Sequence, residues 1–197
     1  SYICGLGLYE AYLDGVKIGA DWLTPGFNAY HLWVQTQTYD VTEMMQSRPK
    51  ELSILAGDGW YKSRIPFEGS SVGFYGNDYR VLAELHIEYA DGSKEVLSTD
   101  ESWQVRRSNI TFSGIYDGEW QDDTLPQGEV EAVAIARLLK GQLIDRLSVP
   151  VRTHEEFHPA LVPNDAGEMI LDIGQNLAGI FTLRVHIPKG QRAVSYT

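Results

Sequence analysis

Asp58, Trp60 and Tyr61 stand in the run Leu-Ala-Gly-Asp-Gly-Trp-Tyr (55–61), an acid between two glycines followed by two large aromatics. Indole and phenol faces stack on pyranose rings, and a carboxylate accepts hydrogen bonds from ring hydroxyls, so these residue types suit a carbohydrate. The theme recurs in Ile-Tyr-Asp-Gly-Glu-Trp (115–120), which adds Glu119 and Trp120, and Tyr75 joins the set from a glycine-rich stretch between the two. The same side chains also suit packing, because a Trp at a strand end plugs a core as readily as it holds a ligand. Residue types alone leave both readings open.

The elements that must position these residues read as strands. Leu52–Ala56 is an apolar strand, and Gly57 and Gly59 permit a sharp turn that would project Asp58, Trp60 and Tyr61 from its end. Residues 2–13 are rich in aromatic and aliphatic side chains, with Gly5 and Gly7 as bulge positions. Asp14-Gly15 supplies a tight hairpin turn, and Val16 begins the returning strand. Leu32, Val34, Thr36 and Thr38 alternate with Trp33, Gln35 and Gln37, a strand period, and residues 40–45 suit one helical turn capped by Asp40 or Thr42. Residues 65–79 read as a long exposed loop of the kind that carries function. A clear hairpin comes next, with strands over 81–89 and 94–98 about Asp91-Gly92. Beyond it, residues 125–131 look like a linker; within 130–140, Val133, Leu138 and the alanines suit a helix and 133–136 equally a strand, the reading favoured here; and 146–159 reads as extended connecting chain. Residues 169–187 are expected to form two strands, with a bend at 188–190.

Short strands every eight to twelve residues, without a sustained helical period before residue 125, predict an all-β chain. The expected architecture is an antiparallel β-sandwich, jelly-roll-like, over residues 1–125. Residues 126–149 are expected as linker and connecting strands, and 150–197 as the start of a truncated second β domain, since two or three strands cannot bury a face alone. The chain opens inside a strand pattern, which predicts further sequence to its left.

Composition narrows the function classes. Of 197 residues, 43% are hydrophobic, enough to supply a core, and the net charge of -11 without a Lys/Arg cluster argues against nucleic acid or an anionic membrane as partner. No apolar run approaches the roughly 20 residues of a membrane span. The lone Cys4 allows no internal disulfide, and its apolar strand predicts a buried thiol.

Nine stretches in one order carry a family resemblance: residues 7–15 (Gly-Leu-Tyr-Glu-Ala-Tyr-Leu-Asp-Gly), 23–27, 37–42, 57–61, 88–93, 99–103, 115–119, 150–152 (Pro-Val-Arg) and 172–179 (Asp-Ile-Gly-Gln-Asn-Leu-Ala-Gly). Together they resemble bacterial α-L-rhamnosidases over nearly the whole chain. The resemblance implies an inverting glycoside hydrolase of several β-sandwich domains around a catalytic barrel of helix pairs, removing terminal L-rhamnose. It places this chain in the amino-terminal sandwich and the start of the next β domain, and the general acid and base in the helical barrel. No catalytic residue is therefore assigned here, and the remainder of the parent enzyme is the expected partner. The compartment is left open between bacterial cytoplasm and export.

Inverting hydrolysis needs two carboxyls roughly 6.5–9.5 Å apart, and on paper Asp58 with Glu119, or Asp117 with Glu119, are the pairs nearest aromatics. Turn acids more commonly cap backbone amides. Family sandwich modules that bind rhamnose with calcium supply the alternative function, a carbohydrate-binding module. Its sugar surface would comprise Asp58, Trp60, Tyr61, Tyr75, Glu119 and Trp120. Asn77, Asp78, Asp117, Glu119, Asp122 and Asp123 offer oxygen ligands for calcium, without the spacing of a recognised cage. His154 and His158 would not share a ligand face on an extended connector, so no cofactor is assigned.

Overall fold

Gly7 divides the first apolar run into two strands, β1 (Tyr2–Leu6) and β2 (Leu8–Leu13), which belong to different sheets. Its φ of +101° is glycine territory, and a Cβ there would collide with the Gly57 carbonyl oxygen. The chain thus passes through Gly7 from one layer into the other. This is a computed structural model, and it describes residues 1–65, 72–126, 128–136, 141–182, 184 and 186.

Asp14 and Gly15 make the expected tight turn and return the chain as β3 (Val16–Lys17). Then come β4 (Trp33–Thr38), the helical turn α1 (Thr42–Met45), β5 (Leu52–Gly57) and a second helical turn, α2 (Gly59–Lys62). Strands β6 (Arg80–Glu88) and β7 (Lys94–Ser98) form the predicted hairpin. Short strands β8 (Gln104–Val105), β9 (Ile110–Gly114), β10 (Gly118–Gln121), β11 (Glu131–Ala132) and β12 (Gln142–Asp145) lie in the same compact unit, Ser1–Arg152. A second unit, Thr153–Thr197, holds the antiparallel hairpin of β13 (Ala160–Pro163) and β14 (Met169–Asp172).

In the first unit a five-stranded sheet, β12-β4-β1-β6-β7, packs on the three-stranded sheet β3-β2-β5. Ile3 of β1 and Ala83 and Leu85 of β6 meet Tyr9, Ala11 and Leu13 of β2 in one buried cluster, closed by Ile18 and Val41. Side chains alternate across a strand, so β2 turns every second residue to this layer; each large apolar side chain buried there contributes about 1.5–3 kcal/mol. Two sheets closing on a shared apolar layer make the sandwich that the strand periods predicted.

The five-stranded sheet is buried on its other face too. Cys4 pairs with Leu82 one step out of phase with Ile3 and Ala83, and this opposite face carries Cys4, Leu6 and Val34 beneath Tyr30 and Tyr61. Burial pushes the free Cys4 thiol up to about 11.

Several expectations differ from the structure. β12 runs parallel to β4, from Gln142 beside Trp33 to Asp145 beside Thr36, a pairing no local pattern announces. Residues 133–136 are not a strand; pairing falls instead on Glu131 and Ala132, against Val105 and Gln104. β14 falls where a strand is expected but pairs with β13, just past the stretch that reads as connecting chain, and the described residues of 180–186 carry no strand. The bend expected at 188–190 lies outside the described residues, as do 66–71 of the long loop. In β4, Gln35 and Gln37 are buried alongside Val34, and the carboxamide oxygen of each has a partner. Tyr9 Oη donates to Gln37 Oε1 at 2.7 Å, and Gln35 Oε1 accepts from the Leu147 and Ser148 amides at 2.8 and 3.1 Å.

Candidate functional site at the β5 corner

The corner after β5 is set by close packing. Gly59 adopts φ +51°, and a Cβ on it would sit 2.6 Å from the Leu8 amide nitrogen, so α2 rests directly on the start of β2. The expected sharp turn is thus one turn of helix, and its residues point in different directions, about 100° apart from one to the next. They do not project together.

Tyr61 turns inward. It is 2% exposed, its ring lies edge-on to Tyr30 with centroids 5.0 Å apart, and its hydroxyl sits where a Cβ on Gly76 would collide with it. Burial pushes that hydroxyl above the ordinary tyrosine value. A ring so enclosed offers no face to a sugar; it anchors the corner to the five-stranded sheet.

Trp60 is half-buried, edge-on to Phe27 at 6.1 Å, and its Nε1 donates to Tyr116 Oη at 3.2 Å. Asp58 accepts from the Tyr79 hydroxyl and lies 3.3 Å from Lys62 Nζ. The Lys62 ammonium also sits 4.0 Å from the centre of the Tyr79 ring. Burial pulls the Lys62 ammonium down, but its hydrogen bond to Tyr79 and the nearby Asp58 charge outweigh that and hold it above the ordinary lysine value. Tyr79 is pushed up, first by burial and then by its bond to Asp58. Tyr75 packs on Tyr30 at 5.1 Å and stacks on His31 at 6.0 Å and 12°, which fixes the descending end of the long loop.

The second acid-glycine-aromatic motif reaches this corner through its tip. β9 and β10 form a hairpin whose turn carries Tyr116 and Asp117, and Asp117 receives Arg64 Nε at 2.9 Å and Nη2 at 2.8 Å. Hydrogen bonding to Asp117 raises the Arg64 guanidinium further. Glu119 and Trp120 lie farther along, on exposed β10; Trp120 is 70% exposed and packs against its cross-strand neighbour Phe112 at 5.7 Å.

Of the six nominated residues, the structure gathers Asp58, Trp60, Tyr61 and Tyr75 around one corner and leaves Glu119 and Trp120 on a solvent-facing strand. Residue types missed the partners that hold the corner: Phe27, His31, Arg64, Tyr79 and Tyr116. The signal available was the repeated motif itself, whose turn residues, rather than its strand residues, make the contact.

Four of the oxygen ligands considered for calcium, Asp78, Asp117, Asp122 and Asp123, are engaged by other partners. Asp78 accepts from Arg80 Nη2 at 2.7 Å, Asp122 closes a turn on the Thr124 amide at 2.9 Å, and Asp123 accepts from Asn109 and Gln121, each at 2.6 Å. Among the described residues no group of three His, Cys, Asp or Glu side chains could hold a metal ion, and no helix is long and apolar enough to cross a membrane.

Residues 1–155 match the family model of the α-L-rhamnosidase N-terminal domain. The chain belongs to this family. Relatives of this rhamnosidase domain include the α-L-rhamnosidase of Streptomyces avermitilis, 33% identical over 93% of the chain and 19% of the relative. That of an Alteromonas species is 30% identical over 97% of the chain and 22% of the relative. Among solved structures, the rhamnosidase domain is similar to the S. avermitilis enzyme complexed with L-rhamnose, with a TM-score of 0.71 and 28% identity over 89% of the chain and 18% of that structure. Similarity to native α-L-rhamnosidase from Aspergillus terreus is comparable, with a TM-score of 0.72 and 29% identity over 89% of the chain and 22% of that structure. The chain spans about a fifth of the length of these relatives.

Proposed function

We propose that this rhamnosidase N-terminal domain is the non-catalytic β-sandwich part of an α-L-rhamnosidase, supporting and positioning a catalytic part that lies elsewhere in the polypeptide. The observation that carries this reading is the commitment of its corner acids to structure. Asp58 is held by Tyr79 and Lys62 and Asp117 by Arg64, whereas a general acid or base must be free to exchange its proton with substrate. Incubating the chain with an aryl α-L-rhamnoside tests it: no aryl alcohol is released above the buffer rate, and saturable release would overturn the proposal.

The half-exposed aromatic edge of Phe27, Trp60 and Tyr116 is on this reading a packing surface. Titration with L-rhamnose, with and without calcium, leaves Trp60 and Trp120 fluorescence and indole NMR signals unchanged at millimolar sugar. Saturable shifts would assign the domain to sugar binding instead.

A further inference from the structure

Asp21 lies at the end of the first hairpin, 5% exposed, and two arginines from the far end of the same unit converge on it. Arg146 Nη1 donates to one carboxylate oxygen at 2.6 Å and Arg152 Nε to the other at 2.7 Å. Its neighbour Trp22 forms an isolated antiparallel bridge with Val151, the Trp22 amide donating to the Val151 carbonyl at 2.8 Å. Between the two arginines, the Leu147 and Ser148 amides are bonded to Gln35, and ahead of them β12 lies along β4. The last eleven residues of the unit therefore form a strap held by one edge pairing and by buried side chains of residues distant in sequence.

We propose that Asp21 is the positioning residue of this strap: by holding Arg146 and Arg152 together it fixes the point and direction in which the chain leaves the sandwich after residue 152. A strand edge alone would allow residues 146–152 to fray, since the strand ends at Asp145. A carboxylate with two separate oxygens, each taken by a different arginine, pins two points of the strap, and a buried charge so paired is costly to unpair. This inference deepens the supporting role proposed above and rests on it for its purpose, because a scaffold can position a neighbouring domain only if the connection to it leaves from a fixed point.

Amide hydrogen exchange on the 197-residue chain reads the strap directly, whether or not the supporting role holds. In Asp21→Asn the Leu147, Ser148 and Trp22 amides exchange about tenfold faster than in the unsubstituted chain, while Cys4 and Leu82, paired in the β1–β6 ladder, keep their rates. Arg152→Gln removes one arm through a half-exposed guanidinium; it speeds Trp22 by at least about threefold and affects Ser148 less. Unchanged Trp22 and Ser148 exchange in Asp21→Asn would overturn the proposal. Where Asp21→Asn loses ladder protection as well, Arg152→Gln decides, and an unchanged Trp22 rate there overturns it equally.

Discussion

Trp60 Nε1 donates to Tyr116 Oη across 3.2 Å, joining the corner after β5 to the tip of the β9–β10 hairpin. The two acid-glycine-aromatic motifs thereby serve as the two halves of one joint. Tyr116→Phe leaves a half-buried indole N–H without its acceptor and is expected to cost about 0.5–1 kcal/mol. Urea denaturation of Trp60→Phe, Tyr116→Phe and the double variant measures the coupling, which should be of similar size; additive single effects would mean that the bond contributes nothing.

Gly7 has to be glycine on two grounds, its φ of +101° and the absence of room beside the Gly57 carbonyl. Gly7→Ala is expected to lower stability by at least about 2 kcal/mol, the left-handed cost plus the displacement of β5 from β2. Thermal denaturation followed by circular dichroism checks this, and a Tm shift of under about 2 °C from the unsubstituted chain would contradict it, taking about 2–4 °C per kcal/mol for a chain of this size.

Gly76 and the Tyr61 hydroxyl compete for one space. A Gly76→Ala methyl must push the phenol out of its seat, at a cost of about 1–3 kcal/mol. In a Tyr61→Leu background the hydroxyl and the ring carbons that the methyl would meet at 2.5 and 2.9 Å are all gone, so the same substitution should cost distinctly less. Equal costs in the two backgrounds, read from urea midpoints, would show that the collision is relieved some other way.

Asp21 also sets a pH dependence. Burial pushes its carboxyl up, but the bonds from Arg152 and Arg146 outweigh this and hold it below the ordinary value of 3.8. A folded-state value below the unfolded one means that the ionised form stabilises the fold: the contribution is complete above the unfolded value and is lost as pH falls through the lower folded value. Urea midpoints compared at neutral pH and in acid below that ordinary value should therefore fall less steeply in Asp21→Asn than in the unsubstituted chain. Parallel acid limbs would contradict the assignment.

Much of the framework is legible in the sequence because it depends on local rules. Asp14-Gly15 and Asp91-Gly92 dictate tight turns, alternation in residues 81–89 dictates a strand, and the ordered motifs carry the family. The contacts that decide what the corner does depend on residues remote from it. Tyr61 reads as a projecting aromatic until Gly59 permits a helical turn that faces it toward Tyr30, and Gly76 leaves space for its hydroxyl.

By itself, then, the sequence determined strands β1 to β7, most of their turns and the sandwich, since backbone propensity and side-chain alternation act over a few residues. Only the tertiary structure decided that Asp58 bonds Tyr79 and Lys62, that β12 lies parallel to β4, and that Asp21 receives Arg146 and Arg152. The physical reason is that burial turns a carboxylate from a surface charge into a group that must find partners, and which partners reach it depends on how the sheets stack.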